Sequence, residues 1–277
     1  MDPQGRDWIE RLPATLDAQK ALLRGLVDLC EADPELRWLV IGCSLARGAA
    51  DRFSDLDLAM GVAGPEADLP AVADRVRAAL GRIGEPVDSY CHRLPEVPGT
   101  HRRIFTQYGD RTQIDLVVFP AAVPGGGIPD VVVLHDPEHL LSVHGGRPEP
   151  TPEQLREWAF SGWCALADFG KYLRRGSRWE AHARLHEARD WLWRLSAAAD
   201  GVPDARYGLT SVLDFAPDRI PPGMADTVSD LDPARLRAAA QRTADLLAAA
   251  GARLPPAARA ALPDAMARFV LADLAAL

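Results

Sequence analysis

Ile41-Gly42-Cys43-Ser44 and Ser54-Asp55-Leu56-Asp57 are the two short segments from which the architecture of this 277-residue chain is best predicted. Each adjoins an apolar run, so we expect two neighbouring strands, the first ending in a Gly-x-Ser turn. Asp55 and Asp57 are two residues apart, which places both carboxylates on one face of a strand while Leu56 and Leu58 point the other way into a core. Two aligned carboxylates beside a small-residue turn suit a divalent metal that carries a nucleoside triphosphate.

A third carboxylate follows further along the chain. Gly109-Asp110 is typical of a hairpin turn. After it, polar and apolar residues alternate from Gln113 to Val118, which predicts a strand with Asp115 on its polar face.

Together these segments resemble the nucleotidyltransferase signature of the DNA polymerase β-like superfamily, in which Gly-x-Ser is followed by Asp-x-Asp and by a third carboxylate on a neighbouring strand. The matching positions are Gly42, Ser44, Arg47, Gly48, Ser54, Asp55, Asp57 and Asp115. The run Ile114-Asp115-Leu116-Val117 is similar to the aminoglycoside adenylyltransferases, especially their 6-adenylyltransferase branch. The resemblance is best over residues 1–120 and implies an α+β fold, with a mixed-sheet nucleotidyltransferase head and a C-terminal helical bundle.

The resemblance also implies how the head would bind its co-substrate, ATP or another nucleoside triphosphate. Asp55, Asp57 and Asp115 would hold two Mg²⁺ ions about 4 Å apart, and carboxylates shared between the ions would offset their mutual repulsion. The Gly42 turn lets the backbone approach phosphates, and the Ser44 hydroxyl can bind their oxygens.

Two more head residues are candidates for nucleotide binding. Arg47 either pairs with a phosphate or is an exposed arginine in the first turn of a short helix. Ser54 is a candidate because it falls on a position of the signature.

Two candidates lie in the C-terminal half. The resemblance places a phosphate-contacting lysine at Lys171, whose alternative is a solvated lysine near a helix C-terminus. Glu180, Glu187 and Asp190 follow on the next helix, where one of them can serve as the general base for the acceptor hydroxyl. Most acidic residues on helices are simply solvated. The resemblance favours Glu187, within Leu185-His186-Glu187-Ala188-Arg189.

The pattern of the chain changes from mixed to helical near Gly145–Pro150, which predicts a catalytic domain over 1–147 and an acceptor-binding helical domain over 148–277. A glycine-rich connection is expected at 123–127, and Asp136-Pro137 is typical of a helix start. The expected strands are Trp38–Ile41, Leu56–Val62, Pro86–His92, Ile104–Tyr108, Thr112–Phe119 and Val131–Leu134. The expected helices are Asp17–Ala32, Pro70–Leu80, Pro152–Arg175, Trp179–Ala199, Ala234–Ala250 and Pro263–Leu277.

Composition restricts the class of partner. The net charge of −8 argues against non-specific nucleic-acid binding and is compatible with a small cationic substrate. There is no run of about 18 apolar residues and no signal-peptide pattern, so neither a membrane partner nor secretion is expected. The four cysteines are scattered, which fits a cytoplasmic protein.

The function predicted from these features is transfer of a nucleoside monophosphate, AMP from ATP, to a hydroxyl of a small cationic acceptor such as an aminoglycoside, with release of pyrophosphate. A second hypothesis keeps the chemistry and changes the acceptor to a protein, a tRNA end or a biosynthetic intermediate, and the acidic charge disfavours tRNA. A third is a non-catalytic, regulatory nucleotide-binding protein, against which the three retained carboxylates argue.

Overall fold

The computed structural model describes residues 3–64, 68–93, 99–122, 128–144 and 149–277. The chain divides into two compact units, Met1–Gly146 and Arg147–Leu277, which we call the head and the helical unit. The expected glycine-rich connection at 123–127 and the residues around the expected boundary at 147/148 lie outside the described residues.

The head is built around one six-stranded mixed sheet. Its strands are β1 (Leu36–Ile41), β2 (Leu56–Val62), β3 (Pro86–His92), β4 (Arg102–Tyr108), β5 (Gln113–Pro120) and β7 (Val132–His135). Their order in the sheet is β3-β4-β5-β2-β1-β7, with β2 and β5 parallel and the other neighbours antiparallel. A separate parallel pair consists of β6 (Ile128–Pro129) and β8 (Val143–His144). The helices are α1 (Pro3–Arg11), α2 (Asp17–Ala32), α3 (Cys43–Ala46) and α4 (Leu69–Ile83).

Alternation along the central strands separates a core face from a polar face. Leu56 and Leu58 are buried, as predicted, in one cluster with apolar residues of α2 and α4. The alternate positions, Asp57 on β2 and Asp115 on β5, lie on the opposite face because successive side chains of a strand point to opposite sides. The helices therefore cover one face of the sheet and leave the carboxylates on the other.

The helical unit contains only helices among its described residues. They are α5 (Pro152–Arg174), α6 (Arg178–Ala199), α7 (Leu209–Phe215), α8 (Pro233–Arg253), α9 (Pro256–Ala260) and α10 (Asp264–Ala275), with short 3₁₀ turns between α6 and α8. Helix α5 begins with a complete capping box in which Thr151 and Gln154 satisfy each other's backbone N–H groups. The predicted α+β class, a mixed sheet followed by helices, is confirmed.

Several helices differ from expectation. Helices α1, α7 and α9 were not predicted, and α8 and α10 differ at their ends from the expected ranges. In the head, α4 continues through Gly81 to Ile83, and Gly84 caps it. A glycine inside a helix costs only about 1 kcal/mol relative to alanine, so packing of α4 on the sheet overrides it. At Gly84 a Cβ would lie 2.7 Å from the Tyr108 ring, so the chain leaves the helix where only glycine fits.

The predicted helix start at Asp136 is wrong. The chain after β7 is irregular, and the buried Asp136 carboxylate accepts hydrogen bonds from the backbone N–H groups of Leu140 and Leu141, each at 2.9 Å. An Asx-type turn thus competes successfully with helix formation. None of the helices in the described part of the chain is long and apolar enough to cross a membrane.

Candidate active site

The turn after β1 is tied directly to the acidic strand β2. The Gly42 N–H donates to the Asp57 carbonyl at 2.9 Å, and α3 begins at the next residue. This one-turn helix is followed by Gly48, whose φ of +72° allows the Ala49 N–H to reach the Ser44 carbonyl at 3.0 Å. Ser44 is therefore held in a closed turn that starts beside Asp57.

The parallel pairing of β2 and β5 brings two predicted carboxylates together. Asp57 is the register partner of Asp115, so the two side chains lie side by side on one face of the sheet. Asp55 lies just before β2, and its charge and that of Asp115 both act on Asp57. The structure thus brings together three of the sequence-predicted residues.

The Asp57 carboxylate has a raised pKa. Burial is the largest cause, followed by repulsion from Asp55, and Asp115 adds to it. A hydrogen bond from the Cys43 side chain and the positive charge of Arg47 act in the opposite direction. The charged form of Asp57 is therefore disfavoured by burial and by the two neighbouring carboxylates, and a bound cation would relieve the repulsion.

Asp115 has a cationic partner that was not predicted. Arg103 on β4 binds both of its carboxylate oxygens, with Nε donating to Oδ1 at 2.6 Å and a terminal nitrogen donating to Oδ2. The side chains of the two residues are 28% and 22% exposed, so the pair is largely shielded from water. This fork-like geometry is the strong form of an arginine–carboxylate interaction.

The loop that precedes Asp55 is held by hydrogen bonds within the loop and by hydrogen bonds from helix α2. The Ser54 hydroxyl accepts from the Asp51 N–H at 3.0 Å and donates to the Asp51 carboxylate at 3.3 Å, so its observed contacts hold the turn. From α2, the Gln19 amide, only 1% exposed, donates to the carbonyls of Arg52 at 3.3 Å and Ser54 at 3.1 Å. Gln19 thereby positions the backbone immediately before Asp55.

The carboxylates are of the type that Mg²⁺ prefers, since it binds hard oxygen ligands. No group of three or more His, Cys, Asp or Glu side chains within the described ranges is arranged to hold a metal ion. Both Asp115 oxygens contact Arg103 instead. Metal binding by Asp55, Asp57 and Asp115 stays a prediction.

In the helical unit, Lys171 and Glu187 lie in one group of charged side chains. Lys171 forms an ion pair with Asp168 on α5 and lies 4.7 Å from the centre of the Tyr172 ring. Glu187 forms an ion pair with Arg184 on α6. Asp168 also acts electrostatically on Arg184, which links the two pairs across the α5–α6 packing. The catalytic roles of Lys171 and Glu187 stay predictions.

Three residues in or beside this site were not predicted from the sequence. Arg103 could have been found by extending the predicted hairpin, since the register of β4 and β5 places it diagonally across from Asp115. Cys43 adopts a φ of +52°, unusual for a residue other than glycine, and no sequence signal indicates it. Gln19 is identified only by the packing of α2 against the loop before Asp55.

No protein-family model and no curated protein sequence matches this chain. Among solved structures, it is similar to an aminoglycoside 6-adenyltransferase from Bacillus subtilis, with 13% identity, a TM-score of 0.39, and coverage of 91% of this chain and 97% of the other. A nucleotidyltransferase-like protein from Exiguobacterium sibiricum gives 14% identity, a TM-score of 0.38, and coverage of 92% and 87%. At these values the likenesses transfer neither an activity nor a substrate to this chain.

Proposed function

We propose that this protein is a divalent-metal-dependent nucleotidyltransferase that transfers a nucleoside monophosphate from a nucleoside triphosphate, with ATP as the favoured donor, to a hydroxyl group. The observation that carries the proposal is the pairing of Asp57 with Asp115 in the parallel strands β2 and β5. Asp55 lies two residues before Asp57 in the chain. The Gly42–Ser44 turn, tied to Asp57 by a backbone hydrogen bond, supports the proposal because a small-residue turn next to carboxylates is suited to binding phosphates.

The chain's own residues have distinct tasks in this proposal. Asp55, Asp57 and Asp115 would hold the metal, which when bound neutralises charge on the phosphates and stabilises the leaving pyrophosphate. The Ser44 hydroxyl and the adjacent backbone bind phosphate oxygens, and Arg47 adds a positive charge. A general base, for which Glu187 is our candidate, accepts the proton of the acceptor hydroxyl. The acceptor oxygen then bonds to the α-phosphorus while the bond from that phosphorus to pyrophosphate breaks.

A small cationic acceptor, such as an aminoglycoside, is the acceptor class we propose. The chain carries a net charge of −8, which favours association with a positively charged molecule. A protein or a biosynthetic intermediate is the competing class of acceptor, and the test below includes a protein extract and neutral polyols beside the cationic acceptors.

The test is pyrophosphate release by the full-length protein with Mg²⁺, each of the four common nucleoside triphosphates, and a panel of acceptors. The panel contains aminoglycosides, neutral polyols and a protein extract, and products are identified by mass spectrometry. We expect a nucleoside monophosphate adduct on a cationic acceptor. Absence of any acceptor-dependent release, with nucleotide binding verified by calorimetry, would contradict a transferase.

A non-catalytic nucleotide-binding protein is the second candidate, and the Arg103–Asp115 pair is the observation that favours it. Both oxygens of the third carboxylate already have hydrogen-bond donors, so Asp115 can be explained without any catalytic role. In that case nucleotide would bind and remain intact in the presence of every acceptor.

A further inference from the structure

Arg103 reaches Asp115 because of the sheet register. Arg103 is paired with Val117 across the antiparallel β4–β5 ladder, so it lies on the same face as Asp115 and one diagonal step away. Its guanidinium covers both carboxylate oxygens, at 2.6 Å for the Nε–Oδ1 contact. The rigid sheet therefore presets this ion pair.

The position of this pair makes it more than a surface ion pair. Asp115 is the register partner of Asp57, and Asp57 is also repelled by Asp55, so Arg103 supplies positive charge at the edge of a group of carboxylates. A divalent cation would supply charge to the same group. Arg103 and a metal ion can thus each neutralise negative charge on the same group of carboxylates.

The two cations compete for Asp115. A fork of two N–H donors uses one of the two lone pairs on each oxygen and fixes the carboxylate in the plane of the guanidinium. Mg²⁺ needs direct oxygen contact at about 2.1 Å in near-octahedral geometry, which a carboxylate fixed in this way meets less easily. Electrostatic repulsion between the guanidinium and a divalent ion also opposes simultaneous occupancy.

We propose that Arg103 is a positioning residue that competes with the divalent cation for Asp115, so that metal binding by this carboxylate weakens its ion pair with Arg103. This inference rests on the proposed function, because it takes Asp115 as a ligand. It follows that the protein binds a divalent ion weakly on its own, since the free energy of binding must also offset the weakening of the ion pair.

The test is a titration of the full-length protein with Mn²⁺ in the absence of nucleotide. The concentration of free Mn²⁺ is measured by electron paramagnetic resonance. Arg103→Gln removes the competing cation and should tighten Mn²⁺ binding roughly five- to fiftyfold, as expected for a largely shielded, charge-assisted pair. The matched control is Arg102→Gln, which removes the same charge from the neighbouring residue, whose guanidinium donates to the His101 carbonyl. Arg102→Gln should give less than about a twofold change, on the order of a distant, screened charge.

Two further variants test whether the effect of Arg103 depends on Asp115. Adding Asp115→Asn to Arg103→Gln should abolish the gain in Mn²⁺ affinity. Arg103→Lys keeps the charge and loses the two-point fork, so we expect an intermediate affinity, and this variant decides the matter if Arg103→Gln does not fold. Equal Mn²⁺ affinity in the Arg103 and Arg102 variants, or no Mn²⁺ binding in any of them, would overturn the proposal.

The failure of this inference and that of the proposed function are distinguishable. If the protein releases pyrophosphate with an acceptor but Arg103→Gln leaves the Mn²⁺ affinity unchanged, the proposed competition is rejected and the transferase function is kept. If Arg103→Gln binds Mn²⁺ more tightly but no transfer occurs with any acceptor, the competition is kept and the transferase function is rejected.

Discussion

Asp57 is held in surroundings that oppose its own negative charge. Burial and the charges of Asp55 and Asp115 raise its pKa, while the Cys43 hydrogen bond and Arg47 compensate in part. Like charges gathered at one place on a sheet disfavour folding, and they are typical of sites that bind a cation. At the residue scale, the negative charge of Asp57 therefore lowers the stability of the fold and favours binding of a cation.

Asp57→Asn should separate these two effects. We expect pyrophosphate release to fall at least about a thousandfold, because a neutral amide is a poor ligand for a hard cation. The melting temperature should stay unchanged or rise, since the substitution removes repulsion and keeps the side-chain volume. Asp74→Asn, on an exposed residue of α4, is the matched control and should leave both quantities unchanged. Near wild-type turnover of Asp57→Asn would remove Asp57 from the site.

Lys171 tests the proposed contribution of the helical unit. Its ammonium group contacts Asp168 and the Tyr172 ring. If it binds phosphates in the transition state, Lys171→Ala should lower kcat and kcat/KM for the nucleotide together, by roughly tenfold or more. Arg175→Ala removes another charge near the Tyr172 ring and serves as the control. Unchanged kcat in Lys171→Ala would make Lys171 an ordinary helix-end residue.

Tyr108 gives a pH-dependent prediction. Burial chiefly, with the charge of Asp110, raises its pKa to about 12, and its hydroxyl donates to the Leu80 carbonyl at 3.2 Å. In the unfolded chain the phenol titrates near about 10. Since the folded pKa is the higher one, its contribution to stability is complete below pH of about 10 and is lost as the pH rises through about 12.

Tyr108→Phe should therefore lower the free energy of unfolding by about 1 kcal/mol at pH 8, through loss of the hydrogen bond. Between pH 10 and about 12 its stability should fall less steeply than that of the wild type, as measured by urea unfolding. Tyr90→Phe, at an exposed tyrosine on β3, should follow the wild-type pH dependence. Parallel curves for Tyr108→Phe and the wild type would contradict the assignment.

At the scale of elements, two glycines of the head have opposite roles. Gly61 on β2 lies under the Trp38 indole, where a Cβ would be 2.0 Å from the ring, and the indole N–H donates to the Ala121 carbonyl at 3.1 Å. Gly81 lies within α4, and a Cβ added there would meet no neighbouring group within 4 Å. The first glycine is required by close packing, and the second only weakens a helix.

Alanine at these positions should act in opposite directions. Gly61→Ala should reduce the free energy of unfolding by about 1–3 kcal/mol, because the indole is held by its hydrogen bond and cannot move away cheaply. Gly81→Ala should increase it by about 0.5–1 kcal/mol through helix propensity and reduced freedom of the unfolded chain. Urea unfolding of both variants gives the comparison. A stabilising effect of Gly61→Ala would show that Trp38 is free to shift.

At the scale of the whole molecule, the net charge of −8 affects how a cationic acceptor is recruited. Raising the salt concentration from about 0.05 to about 0.5 M shortens the range of electrostatic interactions to well below about 10 Å. The KM for a polyamine-bearing acceptor should therefore rise several-fold over this range, while kcat changes little. A neutral hydroxyl acceptor is the control and should show no such dependence. A clear preference for the neutral acceptor, without a salt effect, would contradict the cationic class.

The elements that the sequence determined are those set by local patterns. The strand from Leu56 to Val62 and the helix from Asp17 to Ala32 occur with the predicted bounds, because alternating or helical spacing of apolar residues specifies the face that is buried. The same spacing predicted Asp57 on the polar face of this strand, whereas Asp55 lies just before the strand. Asp136 shows where this fails, since one carboxylate can satisfy a turn as well as a helix start.

Only the tertiary structure decided what surrounds the carboxylates. The register of β4 against β5 placed Arg103 on Asp115, and the packing of α2 placed the Gln19 amide under the loop before Asp55. These contacts join residues 12 to 35 positions apart in the chain. Local propensity carries no information about such pairs, because they depend on strand register and on the relative placement of elements that form independently.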